Sequence, residues 1–468
     1  MLFNSLLFIP FIAIVFLAAM TLGQRARVLA LIALSYVFYS IPYPPWLLLL
    51  IAVTVADFHL ARWIDRSENP AMRRLAVVVS CALNLGLLAA YKYAGFLAET
   101  VNGVADAPVL PVYQPDLPLG ISFFVFESLS YTVDVYRRQL KPAKSLADYA
   151  LFISFFPHLI AGPIVRGRDF LAQIEKHAPF ERRNTVSGME LIAVGFFKKL
   201  VVADNLAPHV DFAFANTWRL SGGALALAVV FFAIQIYCDF SGYTDIARGI
   251  ARMLGFELGR NFRWPYLSQS ISDFWRRWHI SLSSWLRDYL YIPLGSNRHG
   301  VPVMLGAMLA TWFLGGLWHG AAWHFVVWGL YHGALVGLGA VLYRATAGRA
   351  WDPLPAVVKV AITFVLVCIG WVLFRSNSVP TAMLMLGKIF TWSPGDVSGE
   401  YFIGPGAYLA VASLAVLHYA SWVAYRGDED GSVLHERSYV LRVGVLALMT
   451  VAIVAFAGAS QTFIYFQF

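Results

Sequence analysis

The sequence predicts an all-α, polytopic membrane protein, and three observations carry that prediction. Of its 468 residues, 59% are hydrophobic and only 13% are charged, where soluble domains carry roughly a quarter charged residues. Apolar runs long enough to cross a bilayer recur along the chain. Lys and Arg gather in short loops between these runs, as orientation by cytoplasmic positive charge requires. The excess of 35 basic over 27 acidic residues belongs to those loops, and no long basic run points to a nucleic-acid partner. Cys81, Cys238 and Cys368 are scattered through apolar runs and offer neither a disulfide framework nor zinc ligands.

In chain order, residues 2–22 are long enough to span. No charged leader precedes them and no cleavage signal follows, so a retained helix with its N-terminus outside is expected. Runs at 28–38 and 46–60 follow, separated by Pro42, Pro44 and Pro45, and lead into a basic loop with Arg62, Arg66, Arg73 and Arg74. Residues 75–97 return outward. The stretch 99–116 carries three acidic residues, three prolines and no Lys or Arg, as an exterior loop should. Residues 117–136 come back in, ending at Arg137, Arg138, Lys141 and Lys144. The next apolar piece, 149–162, is too short to span and contains Pro157, His158 and Gly162, which predicts a re-entrant segment.

A shorter helix from Met189 ends at Lys198 and Lys199, and a long segment at 225–254 carries Asp239 and Asp245. Asp245 precedes Arg248 and Arg252 on one helix face, so a local ion pair is expected there. Asp239 has no such neighbour, and a carboxylate in a membrane segment is a functional candidate. An apolar run lies at 301–314, further spans are expected at 322–343, 357–374, 407–425 and 440–457, and a short piece lies at 383–390. The total is about ten to twelve membrane segments, including the re-entrant pieces. No internal repeat interrupts the chain, so 1–468 is expected to form one domain, its aromatic run 463–468 buried against the body.

Polar chemistry concentrates in residues 270–332. Wound as one helix, the stretch after Ser270 places Ser272, Arg276, His279, Ser283 and Arg287 on one face and Phe274, Trp278, Leu282, Trp285 and Leu286 on the other. Ser270 with Asp273 forms a capping pattern, and Pro293 ends the run. Arginines on such a face suit two occupants, lipid headgroups or a phosphorylated carrier. Beyond the next apolar run, His319 sits among Gly315, Gly316 and Gly320 in what should be membrane-embedded chain. A neutral imidazole there could take a proton from a hydroxyl attacking an acyl carbon. His324 and His332 read as packing histidines, and the histidine spacing lacks the pattern of a metal site.

Three stretches carry a family resemblance: QIYCDFSGYTDIARG from Gln235, SISDFWRRWHISLSSWLRDYLYIPLG from Ser270, and GGLWHGAAWHFVVWGLYHG from Gly315. They resemble the membrane-bound O-acyltransferases, and within them the bacterial branch that acetylates extracellular polysaccharide such as alginate. The resemblance extends over nearly the whole chain.

It implies a ring of helices around a membrane-spanning tunnel in a multi-pass protein of the bacterial inner membrane. It also implies acetyl-CoA as donor, and a polysaccharide acceptor served together with a periplasmic or extracellular acetyltransferase partner. His319 and His279 then become the catalytic residues, with Arg276, Arg287, Ser283 and Asp239 as candidates for substrate binding and no metal. One departure is Arg263 in Asn261-Phe262-Arg263-Trp264-Pro265-Tyr266, where an Asn or Asp is expected. Two other readings stay open: D-alanyl transfer to teichoic acid by the same two histidines, and a non-enzymatic transporter.

Overall fold

The computed structural model describes residues 3–176, 181–346, 353–395, 407–408, 411–415, 439–456 and 463–464. The expected span at 407–425 falls largely outside these residues, as do 465–468. Among the described residues the regular elements are all helices. Six of them are long and apolar enough to cross a membrane: Pro45–Arg66, Pro70–Ala105, Gly222–Met253, Val301–His319, Trp323–Ala345 and Ala356–Arg375. Phe8–Thr21, Val379–Phe390 and Val443–Phe456 are apolar but shorter.

The chain divides into two compact units, Met1–Ile192 with Ile246–Gly259, and Ala193–Asp245 with Arg260–Phe468. The first holds helices α1 (Phe8–Thr21), α2 (Gln24–Ser40), α3 (Pro45–Arg66), α4 (Pro70–Leu88), α5 (Ala94–Ala105), α6 (Ile121–Tyr136), α7 (Leu146–Ser154), α8 (Phe156–Leu159) and α9 (Gly167–Lys176). Pro45 opens α3 at its first helical position, where its missing N–H is harmless. The expected crossing at 117–136 is only the 16-residue α6, too short to span unaided. It is instead buried on nearly every face by its neighbours.

A polar knot explains that burial. Ser80 and Asn84 of α4 and Ser128 of α6 all donate to the carboxylate of Asp57 on α3, at 2.6, 2.7 and 2.6 Å. Three neutral donors satisfy a carboxylate that would otherwise be prohibitively placed in apolar surroundings. The predicted re-entrant stretch is broken at Phe155 and continues as the short α8, all of it buried. The break is held by Glu127, which accepts from the Val165 N–H at 2.9 Å and meets His158 Nδ1 at 3.1 Å.

The second unit contains the remaining helices, among them α10 as it runs out (Arg182–Phe196), α11 (Asp204–Ala215), most of α12 (Gly222–Met253), α13 (Ile271–Arg277), α14 (Ile280–Leu286), α15 (Val301–His319), α16 (Trp323–Ala345), α17 (Ala356–Arg375), α18 (Val379–Phe390) and α19 (Tyr439–Phe456). Its framework is the α15–α16 hairpin, which closes backbone to backbone. A Cβ at Gly316 would meet the Phe325 carbonyl oxygen at 2.3 Å, and one at Gly329 would meet the Trp312 carbonyl oxygen at 2.2 Å. Small residues at such crossings let helices approach closely in lipid, where hydrophobic exclusion gives no drive. That approach sets the position of His319 at the end of α15.

Candidate active site

The predicted single amphipathic helix after Ser270 is two helices. Ser270 caps the first, its hydroxyl accepting from the Asp273 N–H at 3.1 Å, as the sequence pattern indicates. The chain then breaks at Trp278-His279. His279 takes a left-handed backbone conformation, φ 42°, which is uncommon for a residue with a Cβ and has to be imposed by its surroundings.

Asn261 imposes it. Its carbonyl accepts the Ile280 N–H at 3.0 Å, and its side-chain oxygen accepts from the Ser281 hydroxyl at 2.6 Å and the Ser281 N–H at 3.2 Å. The first turn of α14 is thereby capped from a distant loop. On the other side of the break, the Arg263 N–H donates to the Arg277 carbonyl at 2.9 Å. The departure at position 263 therefore falls on a residue whose backbone is in use.

The break separates the polar face into two groups. His279 turns inward and is completely buried, and desolvation lowers its pKa, which keeps the imidazole neutral near pH 7. Ser272, Arg276, Ser283 and Arg287 stay together and line a cavity of about 300 Å³ with Trp275, Trp312 and the aliphatic side chains of Leu286, Met308 and Val336. The cavity thus pairs two cationic groups with an apolar wall. Arg287 also holds Asp288 at 2.7 Å.

His319 lies beside His279, their ring centroids 6.4 Å apart. Around the pair stands an aromatic collar: Phe240 is 4.7 Å from His279, Trp328 is 4.9 Å and Phe374 5.2 Å from His319, and Trp318 touches both imidazoles at 5.7 and 5.0 Å. Two imidazoles at this spacing can flank one reacting centre, since each hydrogen bond to it needs about 3 Å. The collar surrounds the pair with apolar rings, and in such low-polarity surroundings any charge stabilisation is strengthened. His324 is held apart by Leu373, whose carbonyl lies 3.2 Å from its Nδ1.

Asp239 has a different neighbourhood from the histidines. Lys199 Nζ contacts it at 2.7 Å and also meets Asp204 at 2.7 Å, while the Ile464 N–H donates to its other oxygen at 2.7 Å. Asp245 takes a partner from outside α12, Lys198 at 2.6 Å, while Arg248 donates to the Leu258 carbonyl and Arg252 holds Glu257. Adjacent lysines thus serve two carboxylates of α12, the buried Asp239 and the half-buried Asp245, and both reach it across a helix contact that spacing along α12 alone does not reveal. Among the described residues, no group of three or more His, Cys, Asp or Glu side chains is arranged to hold a metal ion.

Residues 48–379 match the model of the membrane-bound O-acyltransferase family. The alginate O-acetylase of Pseudomonas putida is 36% identical over the full length of both chains. The chain belongs to the membrane-bound O-acyltransferase family. It is also 34% identical to the peptidoglycan O-acetyltransferase of Helicobacter pylori, over 82% of this chain and 79% of that one. The teichoic acid D-alanyltransferase of Bacillus subtilis is 30% identical over 59% of this chain and 77% of its own. The enzyme is therefore a multi-pass O-acyltransferase that uses an acyl donor, which removes the transporter reading. The matched residues include Asn261, His279 and His319.

Proposed function

We propose that this acyltransferase moves acetyl groups from cytoplasmic acetyl-CoA, across the bacterial inner membrane, for the O-acetylation of an extracellular polysaccharide such as alginate. The observation that carries this reading is the buried pair His279 and His319, 6.4 Å apart inside an aromatic collar. His319 takes the proton of the acceptor hydroxyl as its oxygen attacks the thioester carbonyl. The neutral His279 donates an N–H to the developing oxyanion. Collapse of the tetrahedral centre breaks the carbon–sulfur bond, and the proton on His319 passes to the leaving thiolate, giving an acetyl ester and the free thiol of coenzyme A.

The cavity of Arg276, Ser283 and Arg287 is assigned to the donor. Phosphates suit its guanidiniums and a slender apolar arm suits its indole and aliphatic wall. The acceptor is the polysaccharide itself or a periplasmic acetyltransferase partner that passes the acetyl group on. Full-length similarity to an alginate O-acetylase, against 59% coverage by the D-alanyltransferase, favours acetyl over D-alanyl.

Cells with and without the protein should yield exopolysaccharide differing by 42-Da acetyl increments, about one per modified hydroxyl, as acyl-transfer stoichiometry requires. An unchanged polysaccharide, together with loss of D-alanine from an anionic wall polymer, would overturn the assignment. Orientation is testable separately. A single cysteine at Ser67, in a chain cleared of its native cysteines, should be shielded in intact cells while one at Asp106 reacts; the opposite pattern would invert the topology.

A further inference from the structure

His332 packs against Trp275, which lines the donor cavity, and against Trp328, which packs on His319. It is fully buried on α16, one turn after Trp328. Its ring packs edge-on against Trp275 at 5.0 Å and against Trp328 at 5.2 Å. Trp275 lines the cavity with Arg276, whereas Trp328 packs on His319. His332 thus touches residues of both sites, Trp312 of the cavity included, at 6.0 Å.

A packing role alone does not account for a histidine here. Trp275 Nε1–H donates to His332 Nδ1 at 3.3 Å. Indole nitrogen is only ever a donor, so Nδ1 must accept and the proton of the neutral ring lies on Nε2. That nitrogen faces α17, where a Cβ on Gly370 would come within 2.5 Å of it, and it has no hydrogen-bond partner among the described residues. Burying such an N–H is unfavourable, and a phenylalanine or leucine would fill the space without it. What those residues cannot supply is the acceptor for the Trp275 indole.

We propose that His332 is a positioning residue for the acyl donor: by accepting from Trp275 it holds the indole that forms the cavity wall beside Arg276. The inference rests on the assignment of that cavity to the donor. Gly370 is part of the same device, because only a residue without a side chain leaves room for the imidazole.

The test is steady-state kinetics on purified full-length protein with acetyl-CoA as the varied substrate, alongside thermal unfolding. His332→Phe should raise the KM for acetyl-CoA about 5- to 30-fold, the range for one buried hydrogen bond, with kcat changed less than about threefold. His332→Asn retains an acceptor near the Nδ1 position and should recover most of that loss. Trp275→Phe should raise KM by a similar factor, and adding His332→Phe to it should raise KM no further, since the two act through one bond.

If His332→Phe unfolds, Trp275→Phe and His332→Asn carry the same comparison. Fully additive effects, or an unchanged KM in His332→Phe while Arg276→Ala raises it, would make His332 mere filling and overturn the inference. If Arg276→Ala, Trp275→Phe and His332→Phe all leave KM unchanged, the cavity is not the donor site, and both readings fall.

Discussion

The capping of α14 by Asn261 gives a prediction whose size can be worked from the structure. Asn261→Ala keeps the backbone bond from Ile280 but removes the acceptor shared by the Ser281 N–H and hydroxyl. Loss of a helix cap costs about 1 kcal/mol, and a partly buried hydroxyl left without its acceptor adds about 1–2 kcal/mol. The sum, about 2–3 kcal/mol, should lower the unfolding temperature in detergent by about 2–3 °C.

The functional effect should be larger than the loss of stability suggests. His279 is the residue immediately before the capped turn, and its left-handed backbone is held by those bonds. Displacing a catalytic donor by about 1 Å can cost about a hundredfold in rate. Acyl transfer should therefore fall about 10- to 100-fold while donor KM changes little. Differential scanning fluorimetry and initial rates on the same preparation measure both. An unfolding temperature within about 1 °C of the parent, with kcat within about a factor of two, would refute the view that Asn261 sets the position of His279.

Asp239 supplies a second prediction. Its oxygens are taken by Lys199 and the Ile464 N–H, and beside it Phe240 and Tyr243 pack on Phe463 at 6.1 and 4.8 Å, so Asp239→Asn should lower stability while the folded fraction keeps its specific activity. Removing the cation instead, with Lys199→Met, leaves two buried carboxylates facing each other and should cost about 3–5 kcal/mol, read as loss of folded protein on size-exclusion chromatography. An Asp239→Asn enzyme that is stable but inactive would contradict this structural role and restore Asp239 as a candidate for substrate binding. At the hairpin crossing, Gly329→Ala forces a methyl against the Trp312 carbonyl. It should destabilise by about 1–3 kcal/mol and depress activity through His319, and an unchanged melting curve would contradict the close-packed crossing.

Much of this architecture is legible in the sequence because it is local. Ser270 with Asp273 announces a helix start, and Pro157 with Gly162 announces broken chain; in each case the physics is contained within a few residues. What the sequence hides is decided across the fold. His279 reads as one position of a continuous helix because the residue that breaks it, Asn261, lies in a separate loop.

Asp245 reads as the partner of arginines on its own helix, and that spacing gives no hint of Lys198, which reaches it from the 197–203 segment. The same holds for His332. Its spacing from His319 carries no signal, and only the fold reveals that Trp275 needs its Nδ1. His319 itself was conspicuous for the opposite reason: an imidazole among glycines in apolar chain has no local explanation.

The central claim is that His319 performs the proton transfer, and the most direct measurement is His319→Ala assayed for acetyl transfer and for unfolding temperature on one preparation. A general base contributes about 10²- to 10⁴-fold, so transfer should fall to near background while the unfolding temperature stays within about 1 °C of the parent, a shift of roughly 1 kcal/mol at most. A stable His319→Ala enzyme that still transfers acetyl groups at a rate within a few-fold of the parent would contradict the account and make His279 the leading candidate for the base.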